Sequence, residues 1–241
     1  MKRQMGWGLA LLLAMPAAQA DEVKVAVAAN FKATLGKIAD AFKADTGNTV
    51  TISSAATGVL YTQITHGAPF DLFLSADAAT PAKLEKEGKG SGRFTYAVGK
   101  LGLWHKGGPA PDDAALRAWH GNLAIANAKT APYGAAAMAT LDHLKIDTKQ
   151  FRVLTGSNIS QTWQYVESGN AEYGFVAWSN LVDAGKTGEA WAVPADYYPA
   201  IEQQGIVLKP GKATDALVAW LKSDKGRALI TAAGYGLPAG N

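Results

Sequence analysis

Two hydrophobic patterns alternate along the chain from residue 21 onward. Short stretches with an apolar residue at every second position, beginning with residues 23–27, predict β-strands. Between them, apolar residues recur every three or four positions, as in Phe31, Leu35, Ile38 and Phe42, which predicts amphipathic helices. A regular alternation of strands and helices is typical of a parallel sheet covered by helices, so the pattern predicts an α/β fold.

Cap residues mark the ends of several predicted helices. Asn30 precedes the first apolar helical run, at the position where a polar side chain commonly caps a helix, and Gly47 follows that run. Further helices are predicted to begin near Pro111, Pro132 and Asn158. Proline is well tolerated in a first helical turn, which supports the first two of these helix starts.

The remaining elements follow from the same two patterns. The predicted strands after the first are 50–53, 71–75, 123–126, 152–154 and 173–176. Extended segments are predicted at 94–104, which leads into a second lobe, and between residues 193 and 208. Additional helices are predicted at 59–64, 81–87 and 213–233.

The first twenty residues differ from the rest of the chain. Lys2 and Arg3 precede an apolar run, which ends at the small-residue triplet Ala18–Ala20. This order is typical of a cleaved signal peptide, so residues 1–20 are predicted to be a leader and Asp21 the first residue of the mature chain. A membrane anchor is the alternative, but the apolar run is shorter than the ~20 residues that a transmembrane helix needs.

Composition excludes several classes of protein. There is no cysteine, so disulfides and thiolate metal sites are absent. Without the leader's Lys2 and Arg3, the formal net charge falls from +3 to +1, and no run of basic residues occurs anywhere. We therefore expect no binding to nucleic acid and no insertion into a membrane.

The common catalytic motifs are also missing. The chain has neither a Gly-x-Ser-x-Gly elbow nor a His-Glu-x-x-His zinc motif, and its four histidines lack the spacing of metal ligands. We predict that the protein is not an enzyme. A secreted hydrolase with carboxylates distant in sequence stays open as a much weaker alternative.

Four predicted strand-to-helix junctions resemble one another. Each consists of small residues with a hydroxyl or amide group and contains no lysine or arginine: Ala28–Phe31, Ala55–Gly58, Ala131–Gly134 and Ser157–Ser160. Ligands of parallel α/β sheets bind where strands end and helix N–H groups point outward. Any one junction taken alone is better explained by an ordinary helix start. Four together, two in each predicted lobe, favour a fully ionised oxyanion held by neutral donors in the cleft between the lobes.

Three stretches within these regions carry a family resemblance: residues 27–31, 57–64 and, most specifically, 67–77. Through them the mature chain resembles the periplasmic molybdate-binding proteins that feed ABC importers, which are class II periplasmic binding proteins. The resemblance implies two Rossmann-like α/β lobes joined by crossover strands, with the ligand in the interlobe cleft. Residues 21–100 and 206–241 are assigned to the first lobe, and residues 101–205 to the second.

The same resemblance implies a function. The ligand would be molybdate or tungstate, which brings its metal as an oxyanion, so that no metal is bonded directly to protein side chains and no cofactor is needed. The implied partner is the membrane permease of an ABC importer, and the protein is expected to be a periplasmic monomer. Another tetrahedral oxyanion such as sulfate is the alternative ligand. Phosphate is disfavoured because it carries a proton at neutral pH, for which the junctions offer no acidic acceptor.

The resemblance also implies which residues bind the anion. Asn30 and Thr57 would do so from the first lobe, Tyr133 and Ile159 from the second, with Ile159 acting through its backbone N–H alone; Ala29 and Ala177 are less certain. Some relatives carry a tyrosine in the segment of Ala177, and we expect the Tyr133 phenol to replace it.

Overall fold

The computed structural model of the chain describes residues 20–238. Except for its last residue, the predicted signal peptide lies outside the described residues. Within residues 20–238, no helix combines the length and apolar character that crossing a membrane requires.

The described residues form strands and helices in the predicted alternating order. The strands are β1 (Glu22–Ala28), β2 (Thr49–Ala55), β3 (Leu72–Leu74), β4 (Ser91–Gly99), β5 (Leu101–His105), β6 (Asn122–Ala126), β7 (Arg152–Gly156), β8 (Tyr173–Ala177), β9 (Ala190–Ala192) and β10 (Ile201–Val207). The α-helices are α1 (Lys32–Thr46), α2 (Thr57–Thr65), α3 (Ala79–Lys86), α4 (Asp113–Ala118), α5 (Pro132–His143), α6 (Ile159–Glu167), α7 (Trp178–Ala184), α8 (Lys212–Lys222) and α9 (Asp224–Ala232).

The strands divide into two five-stranded sheets, each with its own helices. The first sheet has the order β2-β1-β3-β10-β4, and the second has the order β7-β6-β8-β5-β9. We call the first sheet with α1 to α3, α8 and α9 the first lobe, and the second sheet with α4 to α7 the second lobe. The predicted class, two α/β lobes, is confirmed.

The two sheets have the same topology. In the first, β1 lies between β2 and β3, both parallel to it, and β3 pairs with antiparallel β10. In the second, β6 lies between parallel β7 and β8, and β8 pairs with antiparallel β5. Each lobe therefore has two neighbouring parallel strands, β1 and β2 or β6 and β7, and each of these strands is followed by a helix after a short turn or loop.

Two extended segments differ from the prediction. Residues 94–104 do not form one extended element, because β4 ends at Gly99 in the first sheet and β5 starts at Leu101 in the second. The predicted lobe boundary after residue 205 falls inside β10, which pairs along its length with β3 and β4. Residues 201–205, which were assigned to the second lobe, thus lie in the first sheet. Hydrophobic patterns detect an extended strand but not the sheet in which it pairs.

Helix boundaries show a similar limit. The predicted helix 213–233 is two helices, since Ser223 ends α8 and its side chain accepts a hydrogen bond from Gly226 N to cap α9. The helix α7, which begins at Trp178 directly after β8, was not predicted. Gly47, in contrast, ends α1 as predicted, in the left-handed conformation (φ 78°) that glycine adopts at little cost.

Apolar side chains hold each lobe together and also meet between the lobes. Phe31, Leu35, Ile38 and Phe42 of the predicted apolar stripe are all fully buried in the first lobe, and burial of one such side chain contributes roughly 1.5–3 kcal/mol. A second cluster contains core residues of the second lobe together with Ala28, Ala29, Ala56 and Ala76 of the first. The lobes are therefore in direct apolar contact around the strand ends.

Candidate functional site

A small cavity lies between the lobes, where the parallel strands end. The space between its atoms is about 210 Å³, part of which is open to solvent. It is lined by Ala28, Ala29, Asn30, Ala56, Thr57, Ala76, Ala131, Pro132, Tyr133, Asn158 and Ile159. The four residues that the sequence singled out as ligands thus line one cavity, and each is no more than 3 % exposed. No lysine, arginine, aspartate or glutamate is among the lining residues.

Helix starts surround this cavity, and they provide backbone N–H groups. The first N–H groups of any helix have no partner within the helix. No side chain caps α2 or α5, or the 3₁₀ turn Ala29–Phe31 that leads into α1. The helix dipoles add partial positive charge at these ends. The cavity is therefore suited to an anion although no positively charged side chain lines it.

Thr57 begins α2 and turns a hydroxyl group toward the site. Its Oγ1 accepts a hydrogen bond of 3.1 Å from Ala76 N. Because a hydroxyl group has one hydrogen to donate in addition to its lone pairs, this contact leaves that hydrogen available for a ligand. The preceding residue, Ala56, is the N-cap of the helix and has no side-chain oxygen that would compete.

Asn30 does not have the predicted role of helix cap. It lies within the 3₁₀ turn, and α1 begins two residues later at Lys32. Its Nδ2 donates to Gln203 Oε1 at 2.9 Å and to Tyr235 Oη at 3.1 Å. Both side-chain hydrogens are thus used inside the protein. A turn at the end of a buried strand places the side chain toward the interior, where polar partners from β10 and the C-terminal segment receive it.

Tyr133 lies in the first turn of α5, with its ring buried between the lobes. Its Oη accepts a 3.1 Å hydrogen bond from Gln203 Nε2 of the first lobe. Burial raises the pKa of the Tyr133 phenol well above its usual value, so the group keeps its hydrogen at neutral pH. Gly134 permits the close approach of α5 to β6, since a Cβ at this position would lie 2.1 Å from the Ala126 carbonyl oxygen.

Ile159 presents backbone at the start of α6. The preceding Asn158 caps this helix as predicted, and its Oδ1 accepts from Gln161 N at 3.0 Å. The N–H of Ile159 precedes that capped group and has no helical partner. Of the two less certain residues, Ala29 lines the cavity, whereas Ala177 is buried at the end of β8, paired with Leu101, and is not among the lining residues.

Direct contacts close the cleft over the cavity. Gly58 N donates to Thr130 O of the opposite lobe at 2.9 Å. On the outer surface, Lys37 Nζ of α1 forms an ion pair with Asp183 Oδ1 of α7 at 2.5 Å. The two lobes are therefore in contact around the site.

A wider cleft, with about 1010 Å³ of empty space open to solvent, adjoins the cavity and shares Thr57, Ala76, Ala131 and Pro132 with it. Two carboxylates, Asp77 and Glu202, stand in its wall together with one cation, Lys129. The wall of this cleft carries more negative than positive charge, so the smaller cavity, which no charged side chain lines, is the better candidate for an anion.

Comparison with known proteins agrees with this geometry. Residues 23–236 match the family model described as bacterial extracellular solute-binding protein. The chain is 49% identical, over 92% of its length and 92% of the relative, to the molybdate-binding protein ModA of Azotobacter vinelandii, and 43% identical to that of Rhodobacter capsulatus, over 94% and 92%. The chain belongs to this solute-binding family.

A solved structure is similar as well. The periplasmic molybdate-binding protein of Azotobacter vinelandii superposes with a TM-score of 0.85 at 38% identity, covering 90% of this solute-binding protein and 100% of the other chain. The resemblance inferred from residues 27–31, 57–64 and 67–77 is confirmed at the level of the family.

Several polar residues behind the cavity of this solute-binding protein were not predicted. Gln203 of β10 is fully buried, and Tyr96, Ser179 and Tyr235 are buried beside it. Burial raises the pKa of Tyr235 to about 12, although hydrogen bonds from Ser179 and Asn30 act in the opposite direction. The segment Glu202–Gln204 reads as an exposed polar strand, so only alternation along β10 offered a hint that its middle residue points inward.

Proposed function

We propose that this protein captures molybdate, or tungstate, outside the cytoplasm and delivers it to the membrane permease of an ABC importer. The observation that carries this proposal is the convergence of four helix starts, two from each lobe, on one cavity whose wall contains no charged side chain. The molybdate-binding relatives, which match almost the whole chain, favour this anion over other ligands.

Each of the four site residues is assigned a donor. Thr57 offers its hydroxyl hydrogen, because Ala76 N already occupies one oxygen lone pair. Asn30 offers its backbone N–H, because its side-chain hydrogens bond Gln203 and Tyr235. Ile159 also offers a backbone N–H, and Tyr133 offers its backbone N–H together with its phenol. Ala29, beside Asn30, adds to the wall of the cavity.

Neutral donors suffice for a doubly charged anion. A hydrogen bond to a charged group contributes ~1.5–3 kcal/mol, and a helix terminus adds ~0.3–1 kcal/mol. Several such donors together offset the cost of removing water from the anion. A salt bridge is not required, which agrees with the absence of lysine and arginine from the cavity wall.

Selectivity follows from size. Sulfate has the same charge and shape as molybdate, but its bonds to oxygen are shorter. In a cavity whose donors are fixed on two packed lobes, sulfate leaves some donors without a partner, and each unmade bond to a buried charge is costly. Tungstate has nearly the dimensions of molybdate, so we expect the two to bind about equally.

Binding without catalysis is part of the proposal. Within residues 20–238, no group of three histidine, aspartate or glutamate side chains is arranged to hold a metal ion. The family to which the chain belongs is defined by solute binding. We expect the protein to act as a monomer, to need no cofactor, and to release the anion unchanged.

Anion competition tests the proposed ligand. Purified protein is titrated with molybdate, tungstate, sulfate and phosphate by calorimetry, and its melting temperature is recorded with each anion, since a ligand that binds the native state raises it. Molybdate and tungstate should bind with similar affinity, and sulfate far more weakly. Sulfate binding that equals or exceeds molybdate binding would contradict the proposal.

Export is tested separately. The full chain is expressed in a Gram-negative host, and protein is recovered from the periplasm by osmotic shock. Its N-terminal sequence should begin at Asp21. Retention in the cytoplasm with Met1 intact would contradict periplasmic localisation without affecting the binding site.

A further inference from the structure

We infer that Gln203 is a positioning residue for the anion site: it holds the Tyr133 phenol in the one orientation that directs its hydrogen at the bound anion. This inference rests on the proposed function. Gln203 lies in the middle of β10, is fully buried, and is not among the residues that line the cavity. It therefore acts through Tyr133.

The orientation begins with Tyr235. Its Oη lies 2.8 Å from the backbone oxygen of Asn30, and a carbonyl oxygen only accepts hydrogen bonds. Tyr235 must give its single hydrogen to that oxygen. Every other group that bonds Tyr235 Oη must then be a donor, which applies to Ser179 Oγ at 2.9 Å and to the Asn30 side chain at 3.1 Å.

The direction of the Asn30 amide determines which end of the Gln203 amide faces it. The atom of Asn30 that faces Tyr235 is its nitrogen, Nδ2, and the same nitrogen lies 2.9 Å from the Gln203 side chain. A nitrogen that donates there needs an acceptor, so Gln203 presents Oε1. Tyr96 Oη lies 3.1 Å from the same oxygen but also 2.9 Å from the Ser75 backbone oxygen, which takes its single hydrogen, so the direction of the Gln203 amide is set by Asn30 and not by Tyr96.

Gln203 in turn fixes Tyr133. With Oε1 turned to Asn30, Nε2 faces Tyr133 Oη at 3.1 Å and donates to it. The phenol oxygen is thus an acceptor in this contact, and its own hydrogen needs another acceptor. Among the hydrogen bonds of residues 20–238, Tyr133 Oη donates to no protein group. An oxyanion in the adjoining cavity supplies the missing acceptor.

The Gln203–Tyr133 pair packs closely against Gly99. A Cβ at Gly99 would lie 2.4 Å from Tyr133 Oη and 2.7 Å from Gln203 Nε2. The absence of a side chain at the last residue of β4 is therefore what admits the Gln203–Tyr133 pair. Because Gln203 belongs to the first lobe and Tyr133 to the second, the pair also orients the phenol only when the lobes are closed.

A double-mutant cycle tests the inference. Gln203→Met removes both polar groups of the amide at similar length, and molybdate affinity is measured by calorimetry with this change made alone and in the Tyr133→Phe background. Alone it should weaken binding by about tenfold or more. In the Tyr133→Phe background it should cost less than about threefold, because no phenol remains to be oriented.

Gln204→Met is the matched control. Gln204 is the next residue of the same strand and bonds Thr95 and Arg93 on the opposite face. This variant should bind molybdate like the parent. If the parent binds no anion, the proposed function and the inference fall together. If the parent binds but Gln203→Met is harmless, or costs the same factor in both backgrounds, only the positioning role is refuted.

A measurement on the protein without substitutions tests the inference even if the Gln203→Met protein does not fold. The hydroxyl proton of Tyr133, assigned by comparison with the Tyr133→Phe protein, is followed by NMR during addition of molybdate. It should move downfield, as expected for a hydrogen bond to a charged acceptor. A hydroxyl resonance that is unaffected by saturating molybdate would refute the inference.

Discussion

The two lobes have the same strand topology but contribute differently to the site. Asn30 and Tyr133 follow β1 and β6, the second strand of each sheet, and Thr57 and Ile159 follow the edge strands β2 and β7. In the first lobe, Thr57 has a hydroxyl hydrogen to spare. At the equivalent position of the second lobe, Ile159 has an apolar side chain and only a backbone N–H to donate, and the preceding Asn158 caps the helix. The same fold thus supports donors of different kinds, and substitution should affect the two lobes unequally.

The largest expected effect is at Asn30. Asn30→Asp places a negative charge next to a dianion and removes both amide donations to Gln203 and Tyr235. Like charges placed together in a buried binding site repel by several kcal/mol, so molybdate affinity should fall at least about 100-fold. Calorimetry measures it. Asn48→Asp, in the turn between α1 and β2, adds the same charge to the same lobe and should bind normally.

A direct comparison of the lobes uses Thr57 and Ile159. Thr57→Val keeps the shape but removes the hydroxyl donor, and should weaken molybdate binding by about 10- to 150-fold, the equivalent of a ~1.5–3 kcal/mol hydrogen bond. Ile159→Val leaves the backbone N–H in place and should change affinity by less than about threefold. Equal losses in the two titrations would contradict the assignment of side-chain donors to one lobe and backbone donors to the other.

Closure is tested at Gly58. A Cβ here would lie 3.1 Å from Thr130 Cα, so Gly58→Ala should hinder the approach of the lobes at a cost of about 1 kcal/mol, roughly fivefold in affinity. Dissociation of molybdate, followed by stopped-flow fluorescence, should become faster. Gly36→Ala in α1 meets no atom within 4 Å and should leave the dissociation rate unchanged.

The surface ion pair between the lobes should matter less. Lys37 and Asp183 are 61% and 43% exposed, and exposed pairs contribute little. Lys37→Gln should lower affinity by about 0.5 kcal/mol, roughly twofold, and the difference from the parent should vanish at high salt. A loss that persists in high salt would indicate a contribution other than exposed charge.

The smallest effect concerns acid stability of the second lobe. Hydrogen bonds from Gly107 N, Lys186 and Trp104 lower the pKa of Glu189 to about 2 from the usual 4.5. A carboxyl group with a lowered folded pKa stabilises the protein above its unfolded pKa, and this contribution disappears as the pH falls from about 4.5 toward 2. Urea unfolding of Glu189→Gln should therefore be less sensitive to pH across that range than unfolding of the parent. An identical pH dependence would contradict the role of Glu189.

The sequence by itself determined the class of fold and identified four residues that line the cavity between the lobes. Apolar periodicity is a local property, so it identified β1, α1 and the start of α6 at Asn158. Parallel strands bring their carboxyl ends to one edge, so residues that follow strands, such as Thr57 and Tyr133, were expected to face a common cleft. Their meeting in one cavity depends only on that topology.

Only the tertiary structure decided how those residues are held. Gln203 lies 70 positions beyond Tyr133 and 173 beyond Asn30, and Tyr235 lies 205 beyond Asn30. Sequence separations of this length lie outside any local pattern. Gln203 lies between Asn30 and Tyr133 because β10 belongs to the first sheet, which differs from the predicted lobe boundary. Hydrogen-bond direction is a property of such packed neighbours. The orientation of the Asn30 amide therefore depends on distant partners within the first lobe, and that of the Tyr133 phenol depends on contact between the two lobes.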